Sequence, residues 1–281
     1  HNGSRGLGDV YKRQAHDARL NPALSRGADG QWLNEAGPIL RLTAYSTLRT
    51  FDVGRARPGS RVAKRFALQS ARDGERIPRL ESVFALARLH RADNVRFNIE
   101  MKLRPLPAAW YPAPELFAAA IAKVIDRAGV KERVTIQSFD WRALRAIAAA
   151  APGVDRAALT VEQSWFDNLE RSRSGGSPWL AGLDLDAFDG SVPRLVHAIG
   201  ATTWSPYWRE VDAESLAHAH RLGLRVAVWT VNDPDDMRTL VALGVDSIIT
   251  DYPDRLRRVL ASRGRPLPDR LPRVETHPSR R

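Results

Sequence analysis

The second half of the chain repeats one pattern of apolar and polar positions. An amphipathic helical stretch is followed by a glycine, an apolar residue and a short apolar strand, as in "VIDRAGVKERVTIQSF", "AHAHRLGLRVAVWT" and "TLVALGVDSIITD". Gly129, Gly223 and Gly244 stand where a helix takes a left-handed residue just past its last turn. The helix before Gly244 also has a defined start: Asp233 suits the N-cap, Pro234 the first turn, and Asp235 and Asp236 the positive end of the helix dipole. Helices alternating with short apolar strands predict parallel βαβ units with helices outside. Strands are expected at Arg96–Lys102, Arg133–Phe139, Ala157–Glu162, Ala198–Trp204, Arg225–Val231 and Asp246–Asp251. Six βα units in about 155 residues is the spacing of an α/β barrel.

The rest of the chain lacks that period. "RGADGQWLNEAGPILRLTAYSTLRTFDVGRARPGSR" is rich in turn formers and reads as an insertion or irregular region over about residues 25–80. Residues 263–281, "RGRPLPDRLPRVETHPSRR", hold too few apolar side chains to pack and read as a Pro- and Arg-rich tail. Residues 1–14 show no periodicity, capping pattern or signal-peptide order. Within them "DVYKRQ" is similar to a sequencing adapter translated in frame, so the native protein is expected to start near Ala15. The barrel fragment is then expected over residues 15–262.

Composition narrows the function classes. The chain has 281 residues, 43% hydrophobic and 27% charged, as in a globular protein with a real core. No apolar run approaches the roughly 18 residues that a transmembrane segment needs. With no cysteine, disulfides and thiolate metal sites are excluded. The net charge of +11 raises the question of nucleic acid. Yet only five of the 43 basic residues are lysines, and the arginines are scattered, so the bias reads as GC-rich coding and no nucleic-acid partner is expected. Localisation is not legible.

Candidate chemistry concentrates at strand ends. In "FNIEMK", alternation puts Asn98, Glu100 and Lys102 on one face and Phe97, Ile99 and Met101 on the other. Inside a barrel, a carboxylate and an ammonium are costly unless paired or employed. Glu100 suits a hard divalent cation and Lys102 a phosphate oxygen; a structural ion pair is the competing reading. Trp229, on the alternating face of Ala227 and Val231, is either a pocket wall or a rim residue. Asp251 suits a cap for the turn after the last strand. Ser138 has no histidine near it in sequence and makes a poor nucleophile. His16-Asp17 is too short to be a motif alone.

Taken in order, "HDARLNPALSRGADGQWL", "IPRLESVFAL", "FNIEMK", "VTIQSFD", "VAVWTVND" and "GVDSIITDYPDRL" resemble the glycerophosphodiester phosphodiesterase family. The resemblance implies an α/β fold of the (β/α)8 TIM-barrel class. It also implies that the barrel is incomplete here, because the family's opening His-Arg strand and Glu-x-Asp motif are not found before Ala15. Two strands are thus expected to be missing, with the insertion before strand 3. By position, His16 matches a catalytic histidine of an acid–base pair, Glu100 a metal ligand, Lys102 a phosphate-binding residue, and Trp229 an aromatic lining the alcohol side.

The implied reaction is metal-dependent hydrolysis of a small-molecule glycerophosphodiester to glycerol phosphate and an alcohol. The divalent metal is Ca²⁺ or Mg²⁺, and its remaining ligands are expected in the missing part. A chain lacking them is expected to be impaired. Two alternatives stay open: a related barrel phosphodiesterase of phospholipase or sphingomyelinase-D type, and a non-catalytic anion-binding barrel.

Overall fold

A computed structural model describes residues 15–105 and 110–268. The expected foreign segment 1–14 and the tail from residue 269 onward lie outside the described residues. The chain forms two compact units, one of residues 1–89 and 107–129, the other of residues 90–106 and 130–281.

The first unit is built from turns and short helices. α1 (Tyr45–Leu48) and α2 (Arg61–Arg65) are single turns, while α3 (Leu80–Leu89) and α4 (Pro114–Ala128) are longer and pack together. Leu20, Leu40, Leu48 and Ile77 form its apolar cluster. Its backbone segments are joined by isolated bridges such as Arg19 with Ile39 and Arg26 with Asp52 and by single main-chain bonds such as Val53 N–H to the Glu75 carbonyl at 2.9 Å. The Arg26 guanidinium bonds both Asp52 and Asp73 at 2.5 Å. Burial pushes the Asp52 carboxyl up, but N–H groups of Gly74 and Gly54 and the charge of Arg26 outweigh it and hold the group below its ordinary value.

The second unit carries the predicted repeat. Its strands are β1 (Phe97–Glu100), β2 (Val134–Ser138), β3 (Asp155–Thr160), the short β4 (Glu162–Gln163) and β5 (Phe166–Asp167), then β6 (Thr203–Pro206), β7 (Arg225–Val228) and β8 (Ser247–Ile248). Six of them form one parallel sheet in the order β1-β2-β3-β6-β7-β8, which is chain order and the neighbour relation of a barrel wall. β4 and β5 form a separate antiparallel hairpin inserted after β3. Its helices α5 (Trp141–Ala150), α6 (Val192–Ala198), α7 (Ala213–Arg221), α8 (Pro234–Leu243) and α9 (Pro253–Ser262) follow their strands. Trp141, Leu144, Leu195, Val226 and Met237 are among the buried residues of the core they share.

Local chemistry explains these elements. α5, α6, α7 and α8 start on side-chain caps from Asp140, Ser191, Asp212 and Asp233. Gly129, Gly223 and Gly244 take positive φ of 66°, 74° and 99°, as the pattern predicts. Boundaries are corrected: β3 begins at Asp155 and leaves Glu162 to β4, β7 ends at Val228 rather than Val231, and β8 keeps only Ser247–Ile248 of the expected Asp246–Asp251. The strand expected at Ala198–Trp204 lies at Thr203–Pro206. Ser191 caps α6 and Pro193 sits in its first turn, so apolar residues through Ala198 are helical, and Gly200 at φ 72° turns the chain before the strand begins.

Among the described residues, no helix is long and apolar enough to cross a membrane.

Candidate active site

Because the six strands are parallel, their C-terminal ends share one edge of the sheet. Glu100 ends β1, in register with Gln137 of β2. Lys102 follows two residues on, and its Nζ donates to Glu100 Oε1 at 2.9 Å. The predicted alternation holds: Met101, between the pair, is fully buried, while Lys102 and Glu100 keep 31% and 22% of their side-chain surface. Asn98 continues that polar face, donating to the Gln137 side chain at 2.9 Å. An ion pair with residual solvent access is a group that an anion can still approach, unlike a fully buried one.

The segment carrying the pair is fastened from beneath. Met101 N–H donates to the Gln137 carbonyl at 2.9 Å, and the Met101 carbonyl accepts from Ser138 Oγ at 2.7 Å. Ser138 is fully buried and also accepts from Asp140 N–H at 3.2 Å. It is a structural hydroxyl rather than a nucleophile. Arg142, held by Asp140, donates to the Arg104 carbonyl at 3.0 Å and fixes the chain just past Lys102.

Trp229 stands one residue past β7 with its indole N–H donating to the Ser205 carbonyl at 2.9 Å. Here the expected alternation ends. Val231 belongs to the core cluster with Val226 and Val228, whereas Ala227 and Trp229 are half-buried, although the backbone still pairs past Val228 through the Tyr207–Trp229 bridge and Val231 N–H on the Ile249 carbonyl at 2.9 Å. Phe139, just past β2, meets the Trp229 ring edge-on at 5.2 Å, and Tyr207, just past β6, lies 5.7 Å from it. Trp165, in the turn of the β4–β5 hairpin, meets Trp229 at 6.4 Å and Tyr207 at 5.6 Å. Each of four neighbouring strand ends thus gives an aromatic ring to one rim. Only Trp229 is singled out by the sequence pattern. Phe139 closes one predicted strand and Tyr207 stands three residues past another, so aromatics near predicted strand ends are the available signal for both.

Asp251 accepts from Asn232 Nδ2 at 2.8 Å, which ties the end of the last strand to the loop after β7, and Tyr252 stands at the N-cap of α9. His16 belongs to the first unit. Its ring Nδ1 lies 3.0 Å from Asp17 Oδ1, with 81% of the side chain exposed, and Asn21 holds the other Asp17 oxygen at 3.0 Å. Among the described residues, no group of three or more His, Asp or Glu side chains is placed to hold a metal ion.

A parallel α/β wall with its strands in chain order, a solvent-touched carboxylate–ammonium pair at the end of its first strand and aromatic rings past later strands has the strand arrangement of a barrel protein. Residues 15–255 match the model of the glycerophosphoryl diester phosphodiesterase family, and the chain belongs to that family. It is 27% identical over 191 residues to the glycerophosphodiester phosphodiesterase of Caldanaerobacter subterraneus, covering 68% of this chain and 65% of that protein. It is 30% identical over 197 residues to a Mycobacterium tuberculosis protein assigned as glycerophosphodiester phosphodiesterase 2, covering 68% and 62%. The chain therefore spans less than two thirds of the length of these curated relatives.

A crystal structure from Silicibacter pomeroyi, of a protein assigned as a glycerophosphoryl diester phosphodiesterase, aligns with a TM-score of 0.78 and 29% identity over 92% of this chain and 81% of that one. An Oleispira antarctica phosphodiesterase solved with sn-glycerol-3-phosphate aligns with a TM-score of 0.61 at 17% identity, over 90% and 81%. The fold class is α/β of the TIM-barrel type.

Proposed function

We propose that the protein carrying this chain hydrolyses glycerophosphodiesters, releasing sn-glycerol 3-phosphate and an alcohol. The observation that carries this reading is the Glu100–Lys102 pair, 2.9 Å apart at the end of β1 in a member of this family. The product bound by the Oleispira antarctica phosphodiesterase is the one such a reaction would release.

In this reading water adds to phosphorus, the bond from phosphorus to the alcohol oxygen breaks, and a proton passes to the leaving oxygen. Lys102 neutralises charge that builds on the non-bridging oxygens, a contribution worth most at a partly desolvated rim. Its present bond to Glu100 keeps the ammonium aimed until phosphate competes for it. His16 supplies an imidazole, a ring that can take a proton from water at one nitrogen or give one to the alcohol. Trp229 lies against the alcohol portion, where an aromatic face offers apolar contact.

Glu100 fits a hard divalent cation as one oxygen ligand. Among the described residues no group of three or more His, Asp or Glu side chains stands together, so Glu100 fits one of the about six to eight oxygens that Ca²⁺ takes, or the about six that Mg²⁺ takes. When bound, such an ion supplies Lewis-acid neutralisation of phosphoryl charge.

The test is hydrolysis of glycerophosphocholine by the full-length protein, followed by release of sn-glycerol 3-phosphate with and without a chelator. Metal-dependent release is expected. Absence of release, or preferential attack on intact phosphatidylcholine vesicles over the soluble diester, would refute the reading.

A further inference from the structure

We propose that a cavity of about 310 Å³ on the helix side of the sheet, between the ends of β3 and β6 and the start of α7, is a second ligand site, and that it takes a small organic ammonium ion carrying a short alkyl segment.

The cavity lies apart from Glu100 and Lys102. Strand register aligns Glu100 with Gln137, Ala157 and Thr203 across the sheet. Thr160 and Trp204, which line the cavity, stand an odd number of residues from Ala157 and Thr203 on their strands, so they face the other side of the sheet. There Trp204 joins the core that the helices cover, its indole N–H donating to Thr160 Oγ1 at 2.9 Å. The site therefore stands independently of the activity proposed above.

Leu169, Val192, Pro193 and Trp204 give the cavity an apolar wall. Most of its charged groups are already engaged with one another. Arg171 Nε lies 2.5 Å from Glu162 Oε1, and its Nη1 donates to the Gly190 carbonyl at 2.9 Å. Asp189 pairs with Arg194. Asp212 accepts from Ser215 N–H at 2.8 Å as the cap of α7.

Glu210 is the exception. Its Oε1 accepts from Glu162 N–H at 2.9 Å and from Gln163 Nε2 at 2.8 Å, both neutral donors. Its Oε2 takes no hydrogen bond from the described residues, yet it is not among the atoms sealed from solvent without a partner. In a chain with 43 basic residues, no cation among the described ones pairs with it. Burial pushes its carboxyl up, and the charges of Glu162 and Asp167 add to that push. A half-buried carboxylate without a counter-ion, set beside apolar surface, is the complement of an alkylammonium ion. The ammonium brings the missing charge and donors, and the alkyl segment covers the wall. A bare divalent ion suits it less, because among the described residues no three His, Asp or Glu side chains are grouped to hold a metal.

The experiment is calorimetric titration of the full-length protein with n-butylammonium, 1-butanol and butyrate at low salt. n-Butylammonium is expected to bind saturably at one site, at least about tenfold more tightly than either of the others. Glu210→Gln keeps an acceptor for the hairpin and is expected to remove that preference. Glu214 is exposed in the first turn of α7 and lines the cavity mouth. Glu214→Lys brings a competing ammonium there and is expected to weaken n-butylammonium by about threefold or more with an unchanged melting temperature. No saturable n-butylammonium binding in wild type, equal binding of the three probes, or unchanged binding in either variant would overturn the proposal, whether or not any diester is hydrolysed.

Discussion

Replacing Asn168 by alanine should uncouple the hairpin from the sheet. Its side chain makes three bonds to main-chain groups: one buried N–H of Val161 and the carbonyls of Leu159 and Phe139. The side chain is wholly buried, so its removal leaves the Val161 N–H and the Phe139 carbonyl facing a small void rather than bulk water, while the Leu159 carbonyl keeps the Trp141 indole N–H at 3.3 Å. Each buried group left without a partner costs about 1–3 kcal/mol, and an entering water recovers part of it. The expected loss is about 3–5 kcal/mol. With a urea m-value of about 2–3 kcal/mol/M, the midpoint falls by roughly 1–2 M.

The assay is equilibrium urea unfolding followed by tryptophan emission, fitted for midpoint and slope separately. Asn168→Asp sharpens it. Aspartate keeps the acceptor for Val161 but turns both donors into acceptors aimed at carbonyls, and it buries a charge. It should therefore be at least as destabilised as alanine at neutral pH and should recover as acid neutralises it. A midpoint shift below about 0.3 M for Asn168→Ala with an unchanged slope would refute the reasoning.

Two further outcomes follow from single contacts. Ser138→Ala removes the donor to the Met101 carbonyl and the acceptor for Asp140 N–H, and should cost about 2–4 kcal/mol in the same urea assay; a loss below about 0.5 kcal/mol would mean that neither bond matters. Glu210 is raised above its ordinary value, chiefly by burial, against hydrogen bonds from Glu162 and Gln163 and with the charges of Glu162 and Asp167 adding to it. Its folded form binds the proton more tightly than the unfolded chain does, so its contribution to stability falls as pH rises from the ordinary carboxylate range through the raised value. Glu210→Gln keeps an acceptor and removes the charge, so the stability gap favouring the variant should widen as pH rises above the ordinary carboxylate range in denaturant titrations; a pH-independent gap would contradict this.

The second unit is readable in the sequence because burial there follows simple periods. "FNIEMK" alternates so regularly that the solvent-touched faces of Glu100 and Lys102 and the burial of Met101 follow from spacing two, and glycines after amphipathic stretches mark helix ends. The β4–β5 hairpin escapes because "EQSWFDN" has no period to read. Its order comes from Asn168 and Glu210, whose partners are 7 to 48 residues away in the chain. The aromatic rim is likewise a property of the sheet: Phe139 and Trp229 are far apart in sequence and meet only because β2 and β7 end at the same edge. In the first unit, isolated bridges and arginine–carboxylate contacts do the work that strands do elsewhere, and such contacts leave no periodic trace.

The most direct test of Glu100 and Lys102 as the reactive pair is kcat/KM for glycerophosphocholine in the full-length protein with Glu100→Gln, measured across a titration of Ca²⁺ and of Mg²⁺. If the carboxylate beside Lys102 holds the cation that neutralises phosphoryl charge, the variant should lose at least about a hundredfold at every metal concentration while keeping its fold. Turnover within about twofold of wild type at the same metal concentrations would contradict that role.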